Sequence, residues 1–140
     1  MILWNDTLKL RDEIVVDIED RGYQFGDGVY EVVRFYNRVT YQMDEHLERL
    51  ERSAAEIGMV LPYATSDLKM KINQLIEASD SPIGNVYIQV TRGVAPRIHH
   101  FPEATPANIV GYVMPFARPI ENFEHGVKAI VTKEDRKSVV

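Results

Sequence analysis

Apolar positions follow two different periods along this chain, and the order in which the periods change predicts its architecture. Leu3 to Leu10 and Glu13 to Ile18 are short segments with β-branched residues, broken by Asn5-Asp6 and Arg11-Asp12, and they predict an opening antiparallel pair. Val29 to Tyr36 and Val39 to Met43 alternate with a period of two around Asn37-Arg38, a spacing that suits a tight hairpin. The period then changes. Leu47, Leu50, Ala54 and Ile57 recur at helical steps behind an N-cap at Asp44, and Gly58 stops the run. After Pro62, Ser66 can cap a second helix carrying Leu68, Ile72, Leu75 and Ile76, which ends before the turn at Ser79 to Pro82. Val86 to Thr91, Ile109 to Met114 and Val127 to Thr132 return to strand character, rich in Val, Ile and Tyr.

Strands, two helices, then strands again predict an α+β fold: an antiparallel sheet with the two helices on one face, not a doubly wound sheet. Gly93 to Pro106 is the one long loop, and it contains Arg97, His99 and His100. Loops of that length often carry function.

Bulk properties narrow the partners. At 140 residues and 45% hydrophobic content, the chain is sized for one domain with a real core. A formal charge of -5 argues against general affinity for nucleic acid or anionic lipid. The absence of cysteine excludes disulfides, thiolate metal sites and a cysteine nucleophile. No run approaches the ~20 apolar residues of a membrane span, and the amino terminus has no basic region before its short apolar stretch. A cytoplasmic protein acting on small molecules or protein partners is the expectation.

The chemistry-bearing candidates are few. In Gly22-Tyr-Gln-Phe-Gly26-Asp-Gly28, the glycine spacing is neither that of a P-loop nor of a dinucleotide fingerprint, and no helix is expected there, so a structural turn is the plainer reading. Beyond it Tyr30, Val32 and Arg34 share one side of a strand, and Glu31, Val33 and Phe35 the other. His46, Arg49 and Ser53 share a flank of the first helix, where Arg49 either pairs with Glu45 or Glu56 in solvent or offers its fork of donors to a phosphate. Arg97-Ile98-His99 sets two cationic-capable side chains on one side of an extended loop, suited to a carboxylate. Neither a metal site, since His99-His100 lacks ligand spacing, nor a serine hydrolase, since no Gly-x-Ser-x-Gly occurs, is expected.

Taken together, "DRGYQFGDGVYEVVR", "EHLERL", "NVYIQVTRGVAPRIHHFP" and "HGVKAIVTKED" resemble the D-amino acid aminotransferases among the fold-type IV pyridoxal-phosphate enzymes. The resemblance runs from about Trp4 to Asp135 and covers the amino-terminal half of such an enzyme. It implies transamination between D-alanine and 2-oxoglutarate, with D-amino acids and 2-oxo acids as substrates, pyridoxal 5′-phosphate as cofactor, and a homodimer. Tyr30 would hold the substrate carboxylate, with Val32 beside it. Arg97 and His99 would complete that carboxylate trap from the neighbouring subunit, and Arg49 would bind the cofactor phosphate. Branched-chain aminotransferases and aminodeoxychorismate lyases share the fold and are the alternatives, together with a non-catalytic binding or assembly module.

In the resembled enzymes the catalytic lysine sits in Asp-Ile-Lys-Ser-Leu-Asn. Here Glu134-Asp135-Arg136-Lys137-Ser138-Val139-Val140 stands instead. The expectation is an aminotransferase amino-terminal domain over residues 1–135 and a divergent tail over 136–140, with the cofactor-cradling carboxy-terminal domain absent and the chain inactive by itself. Under the competing reading, a short deletion leaves Lys137 as the catalytic lysine.

Overall fold

The computed structural model describes residues 1–131. Six strands, β1 (Ile2–Trp4), β2 (Thr7–Lys9), β3 (Gly28–Tyr36), β4 (Val39–Thr40), β5 (Ile83–Thr91) and β6 (Asn108–Pro115), form a single antiparallel sheet in the order β2-β1-β6-β5-β3-β4. β1 (Ile2–Trp4) and β2 (Thr7–Lys9) turn through Asn5-Asp6, so the opening hairpin lies inside the first predicted segment. Glu13 to Ile18 is not a strand. It begins in a single 3-10 turn and continues as exposed chain, with Val15, Val16 and Ile18 open to solvent. β-branched residues there had no neighbouring strand to pair with, and pairing, not propensity, makes a strand.

β3 (Gly28–Tyr36) and β5 (Ile83–Thr91) pair along their whole length, β5 in the interior of the sheet and β3 beside the short edge strand. β4 (Val39–Thr40) returns from β3 through Asn37 and Arg38, both at positive φ (48° and 64°), the geometry of a tight hairpin turn. Arg38 then reaches the end of the second long helix, donating from Nη1 to Ile76 O (2.7 Å) and from Nη2 to Ser79 O (3.1 Å). These bonds satisfy carbonyls that a helix end leaves open.

α2 (Met43–Glu56) and α3 (Thr65–Glu77) lie on one face of the sheet, as the periodicity predicts. Their starts differ from the predicted caps: Gln42 precedes α2 and Ala64 precedes α3, and neither Asp44 nor Ser66 caps. Leu47, Leu50 and Ala54 of α2 and Leu68, Ile72, Leu75 and Ile76 of α3 bury against Val33, Phe35, Val86, Ile88, Val90 and Ile109 of the sheet. Two short helices escape the pattern analysis, α1 (Arg21–Phe25) and α4 (Ile120–His125). Both are too short for a repeat of 3.6 to show. β6 (Asn108–Pro115) is the last strand along the described chain and lies between β1 and β5; of the predicted strand Val127 to Thr132, residues 127–131 are exposed and unpaired among the described residues, and Thr132 lies outside them.

The long loop between β5 and β6 is anchored at its root by Gly93. Its φ is +94°, and a Cβ there would lie 2.0 Å from Pro106 O. Gly93→Ala is expected to cost at least about 2 kcal/mol of stability, combining strain with a backbone clash. Urea denaturation checks this; a loss under about 0.5 kcal/mol, the range of a neutral surface change, would contradict it.

Candidate active site

The stretch before β3 is a knot of buried polar groups. Asp20 caps α1 by accepting from Gly22 N (2.8 Å), and its other oxygen accepts from Thr91 Oγ1 (3.0 Å) and Asn108 Nδ2 (2.9 Å). Gly26, at φ 65°, ends α1 in the left-handed conformation that glycine adopts without steric cost. Asp27 Oδ2 then accepts from Arg21 Nε (2.7 Å) and Arg92 Nε (2.8 Å). Arg21 is 2% exposed, and an ionised side chain is buried that deeply only when paired. Burial works to raise the Asp27 pKa, but the hydrogen bonds and charges of Arg92 and Arg21 outweigh it and hold the carboxyl below its ordinary value of 3.8. The glycine-rich stretch is therefore a structural turn, with a short helix inside it.

β3 leaves this knot and divides its side chains between two faces. On the face away from α2 and α3, Tyr30, Gln89, Val110 and Trp4 stand opposite one another across four strands. Val32, Tyr87 and Tyr112 form the next row. Tyr30 stacks on Tyr87 (5.8 Å between centroids), and Tyr87 packs on Tyr112 (5.3 Å). Burial, then the neighbouring Tyr112 and Tyr30, push the Tyr87 phenol above its ordinary value. Its hydroxyl donates to Gln89 Oε1 (3.0 Å). Tyr30 itself is 65% exposed, so its hydroxyl is free to meet a ligand. Beside this face lies a cavity of about 280 Å³ lined by Trp4, Val16, Asp20, Tyr23, Gln89 and Val110.

On the opposite face, one residue along, Glu31 points at α2. Its carboxylate accepts from Arg49 Nε (2.5 Å) and Nη2 (2.7 Å), and lies 2.8 Å from His46 Nδ1. Neither Glu45 nor Glu56 is the partner of Arg49. Burial opposes the charge on Glu31, but the hydrogen bonds of Arg49 and His46 keep its pKa below the ordinary 4.5. The Glu31 side chain is 5% exposed and that of Arg49 is 56% exposed, so the guanidinium is fixed along its inner edge with its outer edge in solvent. A guanidinium has five N–H donors, and this pairing uses two. The remaining donors of a pre-oriented fork fit a phosphate. Glu31 was legible in retrospect: it is the one charged residue in the inward series Val29, Glu31, Val33, Phe35.

Arg97 and His99 meet at Phe25, the last residue of α1. The Arg97 guanidinium lies 5.0 Å from the Phe25 ring centroid, and the His99 ring meets Phe25 edge to face at 6.0 Å. The structure thus brings these two candidates together on one loop, and places Tyr30 and Val32 on the open sheet face and Arg49 on the helix face. Lys137 lies outside the described residues. Among the described residues, no three His, Cys, Asp or Glu side chains group as a metal site, and no helix is long and apolar enough to cross a membrane.

Comparison with known proteins follows the same lines. The family model for amino-transferase class IV matches residues 28–139. The chain belongs to this family. A D-alanine aminotransferase of Bacillus licheniformis is 44% identical over 135 residues, covering 96% of this chain and 48% of the relative. The chain thus spans about half the length of the curated relatives it matches. Among solved structures, the Escherichia coli branched-chain amino acid aminotransferase aligns with a TM-score of 0.79 at 16% identity, over 84% of this chain and 40% of that one. The 4-amino-4-deoxychorismate lyase of Pseudomonas aeruginosa aligns with a TM-score of 0.75 at 22% identity, over 91% and 44%. Both likenesses establish the fold-type IV architecture for this class IV chain, with its sheet and helices in the observed arrangement.

The buried Asp27 gives a prediction with a definite sign. Its folded pKa is depressed, so its stabilising effect is present above its ordinary pKa of 3.8 and is lost as pH falls through the folded value. Asp27→Asn leaves two buried guanidinium groups without their counter-charge and is expected to cost about 3–5 kcal/mol near pH 7. The gap between variant and wild type should narrow as pH falls below 3.8. Urea denaturation across pH checks both; a gap independent of pH would contradict the pairing.

Proposed function

We propose that this chain is the amino-terminal half of a pyridoxal-phosphate-dependent D-amino acid transaminase, which moves the amino group of D-alanine to 2-oxoglutarate and forms pyruvate and D-glutamate. The observation that carries the reading is the Arg97-Ile98-His99 loop, which packs two side chains suited to a carboxylate on one phenyl ring. The 44% identity to a D-alanine aminotransferase supports the same choice within the family.

Each residue has a distinct task. Arg49, held by Glu31, offers its free donors to the cofactor phosphate. When bound, the cofactor supplies an electron-withdrawing ring that stabilises negative charge at the substrate Cα. Tyr30 donates its hydroxyl to the substrate carboxylate, Arg97 and His99 grip that carboxylate, and Val32 packs beside the substrate. The amine that moves the proton is assigned outside the described residues. Fixing the carboxylate relative to that amine selects the D-enantiomer, because only in one enantiomer does the single Cα hydrogen then face it.

Exposed Tyr30, stacked on half-buried Tyr87 of the next row with half-buried Tyr112 beside it, makes an apolar, partly polar-tipped surface of the kind that subunits share, which supports a homodimer whose subunits exchange trap residues. A cytoplasmic location accords with the cysteine-free composition.

Steady-state assays of the full-length enzyme with D-alanine, L-leucine and aminodeoxychorismate test the assignment. Turnover should be confined to D-alanine among the three, and Tyr30→Phe should raise its KM about tenfold or more, the loss of one hydrogen bond to a charged group. Preference for L-leucine or for aminodeoxychorismate would refute it.

A further inference from the structure

We infer that Arg21, Phe25, Asp27 and Arg92 form a positioning assembly that sets the substrate-carboxylate affinity of Arg97 and His99; this rests on the transaminase reading above. The starting observation is a hydrogen bond. Arg21 Nη1 donates to Ile98 O (2.8 Å), the carbonyl between the two proposed carboxylate ligands. The same guanidinium lies 4.7 Å from the Phe25 ring, which also carries Arg97 and His99. One buried side chain therefore touches both the backbone of the loop and the ring on which its functional side chains rest.

Arg21 is in turn immobile. Its Nε is held by Asp27, and Asp27 is held by Arg92. Arg92 is tied to the fold by donating to Ile57 O (2.8 Å) and Gly58 O (3.2 Å) just beyond α2, and its guanidinium lies 3.8 Å from the Phe101 ring. The backbone adds a parallel set of ties: Arg21 N donates to Gly93 O (2.9 Å), and Asp20 bridges Val94. The loop is thus stapled below residues 97–99 while those side chains stay exposed.

Two features of the sequence follow. Arg21 has to be arginine, because lysine has one nitrogen and cannot reach both Asp27 and Ile98 O in a fixed fork. Position 25 has to be aromatic, because a guanidinium is held by a π face and the His99 ring packs T-shaped on the same ring.

The test compares Arg21→Lys, Phe25→Leu, Phe25→Tyr and Arg97→Ala in the full-length enzyme. It measures KM for D-alanine, Ki for propionate as a simple competing carboxylate, and Kd for pyridoxal phosphate. Arg21→Lys and Phe25→Leu should each raise KM and Ki about fivefold or more, the size of one lost cation–π contact or fork bond. Their Kd for pyridoxal phosphate should stay within about twofold, because Arg49 sits on the other side of the sheet, whereas general loss of structure would move all three values. Phe25→Tyr keeps the π face and should restore KM and Ki to near wild type. If Arg97→Ala raises KM while Arg21→Lys and Phe25→Leu do not, the positioning inference is overturned and the transaminase reading stands. If Arg97→Ala leaves KM unchanged, the carboxylate trap itself is refuted, and the inference with it. Should Arg21→Lys not fold, the Leu and Tyr variants of Phe25 decide the matter.

Discussion

Adjacent residues of a strand point to opposite faces, and β3 turns that constraint into the layout of the site. Tyr30 stands on the open face and Glu31, one residue on, reaches through the helix layer to Arg49. The proposed phosphate anchor and the proposed substrate-facing hydroxyl are thereby set by a single backbone step, with no loop between them whose movement could change their spacing. The pairing of β3 with β5 along the full strand, and the packing of α2 behind it, make that step rigid. A shift of one residue in register would exchange the two faces and bury Tyr30 while exposing Val33 and Phe35. The hydrophobic core and the proposed site are therefore two consequences of the same alternation.

Buried charge performs the second organising task. Asp27, just before β3, and Glu31, within its first half, have two basic side chains apiece, Arg21 and Arg92 for one, Arg49 and His46 for the other. Such pairs add little stability over an apolar replacement but are costly to break. Their value lies in direction. Glu31 aims an exposed guanidinium, and Asp27 holds a buried one under the loop of Arg97 and His99. Both carboxylates act through arginines, whose flat forks transmit orientation in a way a flexible ammonium does not.

Legibility in the sequence followed repetition. α2, α3, β3, β5 and β6 carry enough turns or alternations for their period to show, and their apolar residues are those that bury. Glu13 to Ile18 has strand composition without a partner strand, while α1 and α4 are shorter than any helical repeat can reveal. The same reason separates the site residues. Tyr30, Arg49, Arg97 and His99 are proposed on local motif, but the partner of Arg49 was expected at Glu45 or Glu56 because helix neighbours are visible in sequence and Glu31, 18 residues away, is not. Ile98 receives its hydrogen bond from Arg21 across 77 residues, a contact only the folded chain can disclose.

The proposed site is divided: Arg49 as phosphate anchor and Tyr30, Arg97 and His99 as carboxylate ligands are proposed on this chain, and the cofactor-binding lysine is proposed to lie outside its 140 residues. The most direct measurement is the intact mass of the 140-residue chain after incubation with pyridoxal phosphate and reduction with borohydride, followed by peptide mapping. A divided site predicts no stoichiometric adduct, only labelling scattered over surface lysines. A single stoichiometric adduct at Lys137 would contradict it, because the chain would then hold its own cofactor-binding amine.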